Sequence, residues 1–323
     1  MIIPSKQTKT TRYEDNKTLA AYYKHDLKRN YVLYLLFLPV LIYYIVFCYA
    51  PMYGAVIAFK DFSPVKGIIG SSWTSMGGFK HFYDFFTSNY FWRIFGNTIK
   101  ISSASLIFGF PAPIILALMI NEVKSPAYKR TIQSISYIPH FISLVVVAGM
   151  IKTFVSDTGF INIFLTKMGL SGGENMLNVK EYFVPIYVLS GIWQEVGWGT
   201  IIYLAALTAI DTQLYEAASI DGAGKWRQLF AITLPSIMPT IIMLLVLKIG
   251  SLMSVGYEKI ILLYNPVIYE SSDVISSFVY RKGLMEADYS YSTAVGLFNS
   301  VINFALLIFA NTMSRKLNET SLW

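Results

Sequence analysis

Glu216, Ala217 and Ala218, then Gly222 after three residues, and Ile232, Leu234 and Pro235 after nine more, form the most informative constellation in the sequence. The chemistry they offer is recognition. Glu216 and Asp221 are acceptors for a partner's basic groups, and Ala217 and Ala218 leave little bulk, so that a helix carrying them can sink into a cleft. Asp211 is placed to cap a helix from about Thr212 to Ile220. Gly222 supplies the backbone reversal that ends it, with Gly224 leading into a second short helix from about Lys225, closed by Pro235.

A second set of polar residues sits inside apolar runs, where a charge costs about 2.5 to 3.5 kcal/mol at mid-helix. Glu195 lies within Trp193-Gln194-Glu195-Val196-Gly197-Trp198-Gly199, and Lys248 lies in a later run. In one reading they face water, with Trp193, Gln194 and Trp198 offering stacking faces and hydrogen bonds to a sugar, which is apolar on its C–H face and hydroxylated at its edge. In the other, Glu195 pairs with a basic group as a tie between helices and Lys248 snorkels outward. Asn299 and Asn303, four apart and so on one helical face, either line the same path or join helices by hydrogen bonds.

Covalent chemistry is poorly provided for. His25, His81 and His140 are far apart in sequence, which argues against a metal or catalytic cluster, and His140 reads as an interfacial or core residue. Gly222-Ala223-Gly224-Lys225-Trp226 fails as a phosphate loop, because Ser219 stands where the first glycine belongs and Trp226 where the hydroxyl does. No ATP site and no bound cofactor are expected in this chain.

The elements that must position these residues are membrane spans. Of 323 residues, 54% are hydrophobic and only 14% charged, more apolar surface than a soluble core uses. Charge-poor runs match a ~30 Å hydrocarbon layer at about 31–50, 96–120, 135–154, 183–207, 236–256 and 293–313, giving an all-α integral membrane protein of six helices. Lys and Arg gather in residues 1–30, after the second span (Lys124, Lys129, Arg130) and in the tail (Arg315, Lys316). Both termini and the 208–235 loop are therefore expected in the cytoplasm. The net charge of +7 follows from this topology, and no clustered basic face suggests nucleic acid. The first apolar run, about twenty residues long, exceeds the 7–15 of a signal core, so it reads as a retained anchor. Cys48 is the only cysteine, which excludes an internal disulfide. The expected organisation is a basic segment 1–30, a first span with an outer loop 31–95, a five-helix core 96–313 and a tail 314–323.

With its spacing intact, the Glu216-to-Pro235 pattern resembles the EAA motif of the membrane subunits of bacterial ABC importers. Tyr49-Ala50-Pro51-Met52-Tyr53-Gly54, Ala58-Phe59-Lys60-Asp61-Phe62 and the terminal Ser321-Leu322-Trp323 are similar to the carbohydrate-uptake branch, which includes lipoprotein-associated polysaccharide permeases. The resemblance implies the ABC importer permease fold, with coupling helices between spans four and five. It also implies a plasma-membrane location and alternating access driven by two separate subunits that hold ATP and Mg. A homologous sister permease and an extracytoplasmic solute-binding lipoprotein are the other implied partners. An ion-coupled secondary transporter or channel, working without ATPases, is the competing reading. A membrane-bound enzyme ranks behind both, since it would need catalytic polar groups converging at one depth.

Overall fold

The computed structural model describes residues 16–318. Lys6, Lys9, Arg12 and the Ser321-Leu322-Trp323 ending lie outside them. Among the described residues every regular element is helical, and the only strand-like pairing is an isolated bridge between Lys60 and Trp73. The chain divides into two units, Met1–Val56 and Ile57–Trp323.

The smaller unit contains α1 (Asn16–Arg29), ending on Lys28 and Arg29, and α2 (Tyr31–Tyr43), which has no buried residue. The larger unit contains α3 (Lys80–Thr87), α4 (Phe91–Glu122), α5 (Pro126–Phe141), α6 (Leu144–Phe154), α7 (Phe160–Lys167) and α8 (Lys180–Thr208). After these come α9 (Thr212–Ile220), α10 (Lys225–Gly250), α11 (Tyr257–Leu263), α12 (Ile275–Tyr280) and α13 (Tyr289–Asn318).

Among the described residues, four helices are long and apolar enough to cross a membrane: Tyr31–Phe59, Phe91–Glu122, Lys225–Gly250 and Tyr289–Lys316. A fifth crossing exists if α5 and α6 are one span, but they meet at 98°. The span expected over 135–154 is thus a broken one. Pro139 cannot continue the ladder, and Ser143 restarts it by accepting from the Val146 N–H. The crossing expected at 183–207 lies inside α8, whose 29 residues extend about 44 Å at 1.5 Å each, yet α8 is not among the helices apolar enough to count as a span. The run 236–256 stops short, because α10 ends at Gly250 and the chain turns through Ser251–Met253.

Helix α8 packs along the second half of α4, and α10 along α13. One apolar cluster joins Ala117, Ile120, Tyr203, Leu204, Leu207 and Ile237 at the α9 end of the molecule. Another stacks Phe85, Phe91, Ile94, Phe278 and Val295 at the opposite end. A third links Ile101, Ala148, Phe183, Val188, Ile260 and Leu263 around α8. Close approach within this layer depends on Gly197, where an added Cβ would overlap the Ser136 carbonyl of α5.

Beyond these clusters, Asp273, fully buried, receives both Arg281 guanidinium nitrogens at 2.6 and 3.2 Å and the Ser277 hydroxyl at 2.8 Å. Asn97 donates to the carbonyls of Glu270 and Asp273 at 2.9 and 3.0 Å, and the Thr98 hydroxyl accepts from the Ile275 N–H at 3.0 Å. These bonds fix α4 to α12 and pair the buried Asp273 carboxylate with a guanidinium.

Candidate functional site

The first site is the elbow around α9. Asp211 accepts from the Gln213 N–H at 2.9 Å, the cap the sequence predicts. At the other end, the Ala223 N–H reaches the Ala218 carbonyl at 2.8 Å and the Gly222 N–H the Ser219 carbonyl at 3.1 Å. That pair of bonds is a Schellman closure, and it requires the left-handed φ of +75° found at Gly222. Gln228, not singled out by sequence, holds the turn from within: it is buried, and its amide donates to the Ser219 hydroxyl at 3.0 Å and the Ala223 carbonyl at 2.9 Å. Tyr215 and Thr233 join their hydroxyls at 2.9 Å across the elbow. Lys225 reaches Glu122 at the end of α4, 3.1 Å away, through an exposed ion pair of little energetic weight.

Pro235 does not close the second helix. From Gly224, which caps it, α10 continues without interruption to Gly250. The chain accommodates the proline with a wide turn over Leu229–Thr233, in which the Leu234 N–H reaches back five residues to Leu229. Glu216, Ala217, Asp221 and Gly222 lie exposed on the elbow, Ala218 and Leu234 are half-buried and Pro235 is exposed. Glu216, Tyr215, Ser219, Lys225 and Gln228 border a cleft of about 640 Å³ shared with Asn121–Lys124.

The second site is a cavity of about 650 Å³ between α4, α8, α10 and the chain leading into α11. Gln194, Glu195, Trp198 and Lys248 all line it; Trp193, Asn299 and Asn303 do not. Trp193 falls on the opposite face of α8 from Glu195, as a step of two residues on a helix dictates. Asn303 joins helices: its oxygen accepts from the Met253 N–H at 2.9 Å and its amide donates to the Ser254 hydroxyl at 2.9 Å, which holds the turn after α10. Asn299 lines a separate cleft of about 480 Å³, where its side-chain oxygen is buried without a partner.

Glu195 has a basic partner, and it is His140. Their side chains meet at 2.9 Å (His Nδ1 to Glu Oε2), while the His140 ring stacks on Trp198 at 4.4 Å and 3°. Gln194 donates to the Ile142 carbonyl at 3.4 Å. Two adjacent polar residues of α8 therefore brace the break between α5 and α6, taking up a carbonyl that the broken ladder frees. Proline, histidine and a serine cap within one apolar run were the available signal for this break; the partner, 55 residues further on, was not.

Lys259 is the other residue that sequence reasoning missed. It is 7% exposed, its ammonium donates to the Tyr187 carbonyl at 3.0 Å and lies 4.8 Å over the Tyr187 ring, and it lines the cavity. Burial pushes the ammonium down to about 8, against the opposing pull of Glu195. Among the described residues lining the cavity, Glu195 is the only carboxylate, set against the two lysines.

The chain is 45% identical over 299 residues to Protein LplB of Bacillus subtilis (strain 168), with 92% of each chain covered. To the polygalacturonan/rhamnogalacturonan transport system permease protein YteP of the same organism it is 44% identical over 294 residues, with 90% of each covered. A chain in the crystal structure of a bacterial ABC transporter involved in the import of the acidic polysaccharide alginate superposes with a TM-score of 0.83 at 46% identity, covering 92% of this chain and 99% of that one. The same values hold for a structure of the bacterial alginate ABC transporter in complex with an alginate pentasaccharide-bound periplasmic protein. Residues 109–319 match the model for the inner membrane component of binding-protein-dependent transport systems, and the chain belongs to that family.

Proposed function

We propose that this chain is the permease subunit of an ATP-driven importer of oligosaccharides, crossing the plasma membrane six times with both termini in the cytoplasm. Its relatives carry the saccharide reading: one serves polygalacturonan and rhamnogalacturonan, and the structural neighbour serves alginate. The observation that carries the mechanism is the continuity of α10. Its first turn belongs to the elbow, and Lys248 near its far end lines the cavity, so a push on the elbow is delivered to the cavity wall by a single helix.

Alternating access follows from that linkage. Moving a two-state carrier from 1:99 to 99:1 needs a differential of about 5.5 kcal/mol, and the energy comes from two partner subunits that bind ATP and Mg and grip α9. Glu216 presents an exposed carboxylate to their basic groups, Ala217 and Ala218 admit the helix to a cleft, and Asp221, Gly222 and Gly224 keep the elbow in one shape. Leu234 and Pro235 mark the junction where the elbow becomes a span. A sister permease completes the path, and an extracytoplasmic solute-binding lipoprotein delivers the saccharide, as in the alginate system with its periplasmic protein. Gln194, Glu195, Trp198 and Lys248 face the passing sugar, with Trp198 offering a stacking surface when His140 moves off it. Trp193, Asn299 and Asn303 act from outside this cavity, holding helices or meeting the sister subunit.

The test is Glu216→Arg, with Gly222→Val as its conformational counterpart, in the complete importer reconstituted in vesicles. Both are expected to reduce ATP-driven uptake at least tenfold by weakening a charge-assisted contact or deforming the elbow. Uptake at the native rate in correctly inserted variants, or uptake by this chain without ATPase subunits, would sink the proposal and favour an ion-coupled carrier.

A further inference from the structure

Lys259 is unusual among the charged groups of the cavity because it is buried and yet has no carboxylate within ion-pairing distance among the described residues. One of its three N–H donors goes to the Tyr187 carbonyl. A buried cation with incomplete hydrogen bonding is costly unless something completes the shell. The one carboxylate in the wall, Glu195, is held by His140 at 2.9 Å. Lys248, on α10, adds a second cation to the same cavity. Two lysines against one carboxylate leave the cavity one positive charge in excess, which a monoanionic group entering it would balance.

We propose that Lys259 is a specificity-determining residue that binds the carboxylate of an acidic saccharide, a uronate unit, as it passes through the cavity. This rests on the reading of the chain as a saccharide permease and names the class of saccharide. An ammonium is a compact charge with freely rotating donors, suited to a carboxylate that moves past rather than one that is locked in place by a fork. Gly191 belongs to the same device. A Cβ there would stand 3.3 Å from the Lys259 ammonium nitrogen, so the bare backbone of α8 gives the ammonium its position at the cavity wall. Tyr187, one turn earlier on α8, holds the ammonium from the other side through its carbonyl and ring.

The experiment uses the complete importer in proteoliposomes, with its binding protein held constant and three probes: trigalacturonate, its methyl ester and neutral galactotriose. Wild-type importer is expected to prefer the acid over the ester roughly tenfold or more in half-saturating concentration, the size of a hydrogen bond to a charged group. In Lys259→Met that preference falls roughly tenfold, in Lys259→Arg most of it returns, and in Gly191→Ala it falls without loss of the lysine. A lysine needed only for folding would lower the uptake of all three probes together in Lys259→Met and leave Gly191→Ala with the native preference; that pattern overturns the proposal. ATP-driven uptake of galactotriose without trigalacturonate also overturns it while the permease reading stands. Failure of ATP to drive any of the three removes both.

Discussion

At the scale of single residues, the cavity is governed by which charges are paired. Glu195 is bonded to His140, and Lys248 is exposed toward the cavity, whereas Lys259 is both buried and short of partners. Its titration therefore has a readable consequence. The groups that face it are Tyr187 and Glu195 on α8 and Lys248 on α10, with His140 behind Glu195. With the ammonium lowered to about 8, it gives up its charge at a lower pH than a free lysine does. Half-saturation for an acidic saccharide should rise as the pH passes through about 8 and that for a neutral one should stay flat, measured in vesicles with both faces clamped at the same pH. Parallel curves for the two saccharides would count against Lys259 as the titrating group. The sign for folding is opposite to that for binding. A lysine whose folded value lies below the 10.5 of the free side chain penalises the fold at low pH, and that penalty is relieved between about 8 and 10.5.

At the scale of elements, the elbow and the broken span show how far a sequence can be read. Helix α9 was legible because its cap, Asp211, and its stop, Gly222, are local, and both do in the structure what their residue types dictate. The break after Pro139 was not, because an apolar run of the right length masks it and its stabilising partners, Gln194 and Glu195, come from another helix. Pro235 was misread for a related reason. A proline ends a regular α-helix, but one wide turn before it lets the helix continue, and nothing in the sequence announces that turn. This gives a test at the same scale. Pro235→Ala restores the missing N–H and permits the Leu229–Thr233 turn to relax to regular spacing, which would rotate the elbow against the rest of α10 by about 100°. The variant should keep its thermal stability, or gain some, while ATP hydrolysis and uptake become uncoupled. Native coupling in the variant would mean that the wide turn plays no part in transmission.

At the scale of the whole molecule, topology is the quantity most sensitive to the broken span, because each crossing inverts everything after it. If α5 and α6 together cross the membrane and α8 crosses after them, then with the N-terminus inside, Val65 lies outside, Leu170 outside and Ser219 inside. If the bent pair re-enters without crossing, Leu170 moves inside and Ser219 outside, and the elbow is out of reach of any ATPase. The basic residues Lys124, Lys129 and Arg130 before the break favour the first arrangement, since short basic loops stay in the cytoplasm. The sequence makes the measurement direct, because Cys48 is its only cysteine and Cys48→Ser leaves a clean background. Val65, Leu170 and Ser219 are all exposed, Val65 by 96%, so a single cysteine at each is open to a charged maleimide that cannot cross lipid. Right-side-out vesicles should label the Val65→Cys and Leu170→Cys variants and spare Ser219→Cys, and inside-out vesicles should reverse the pattern. Labelling of Ser219→Cys from the outside would turn the elbow away from its motor, and the transport mechanism built on α10 would fail with it.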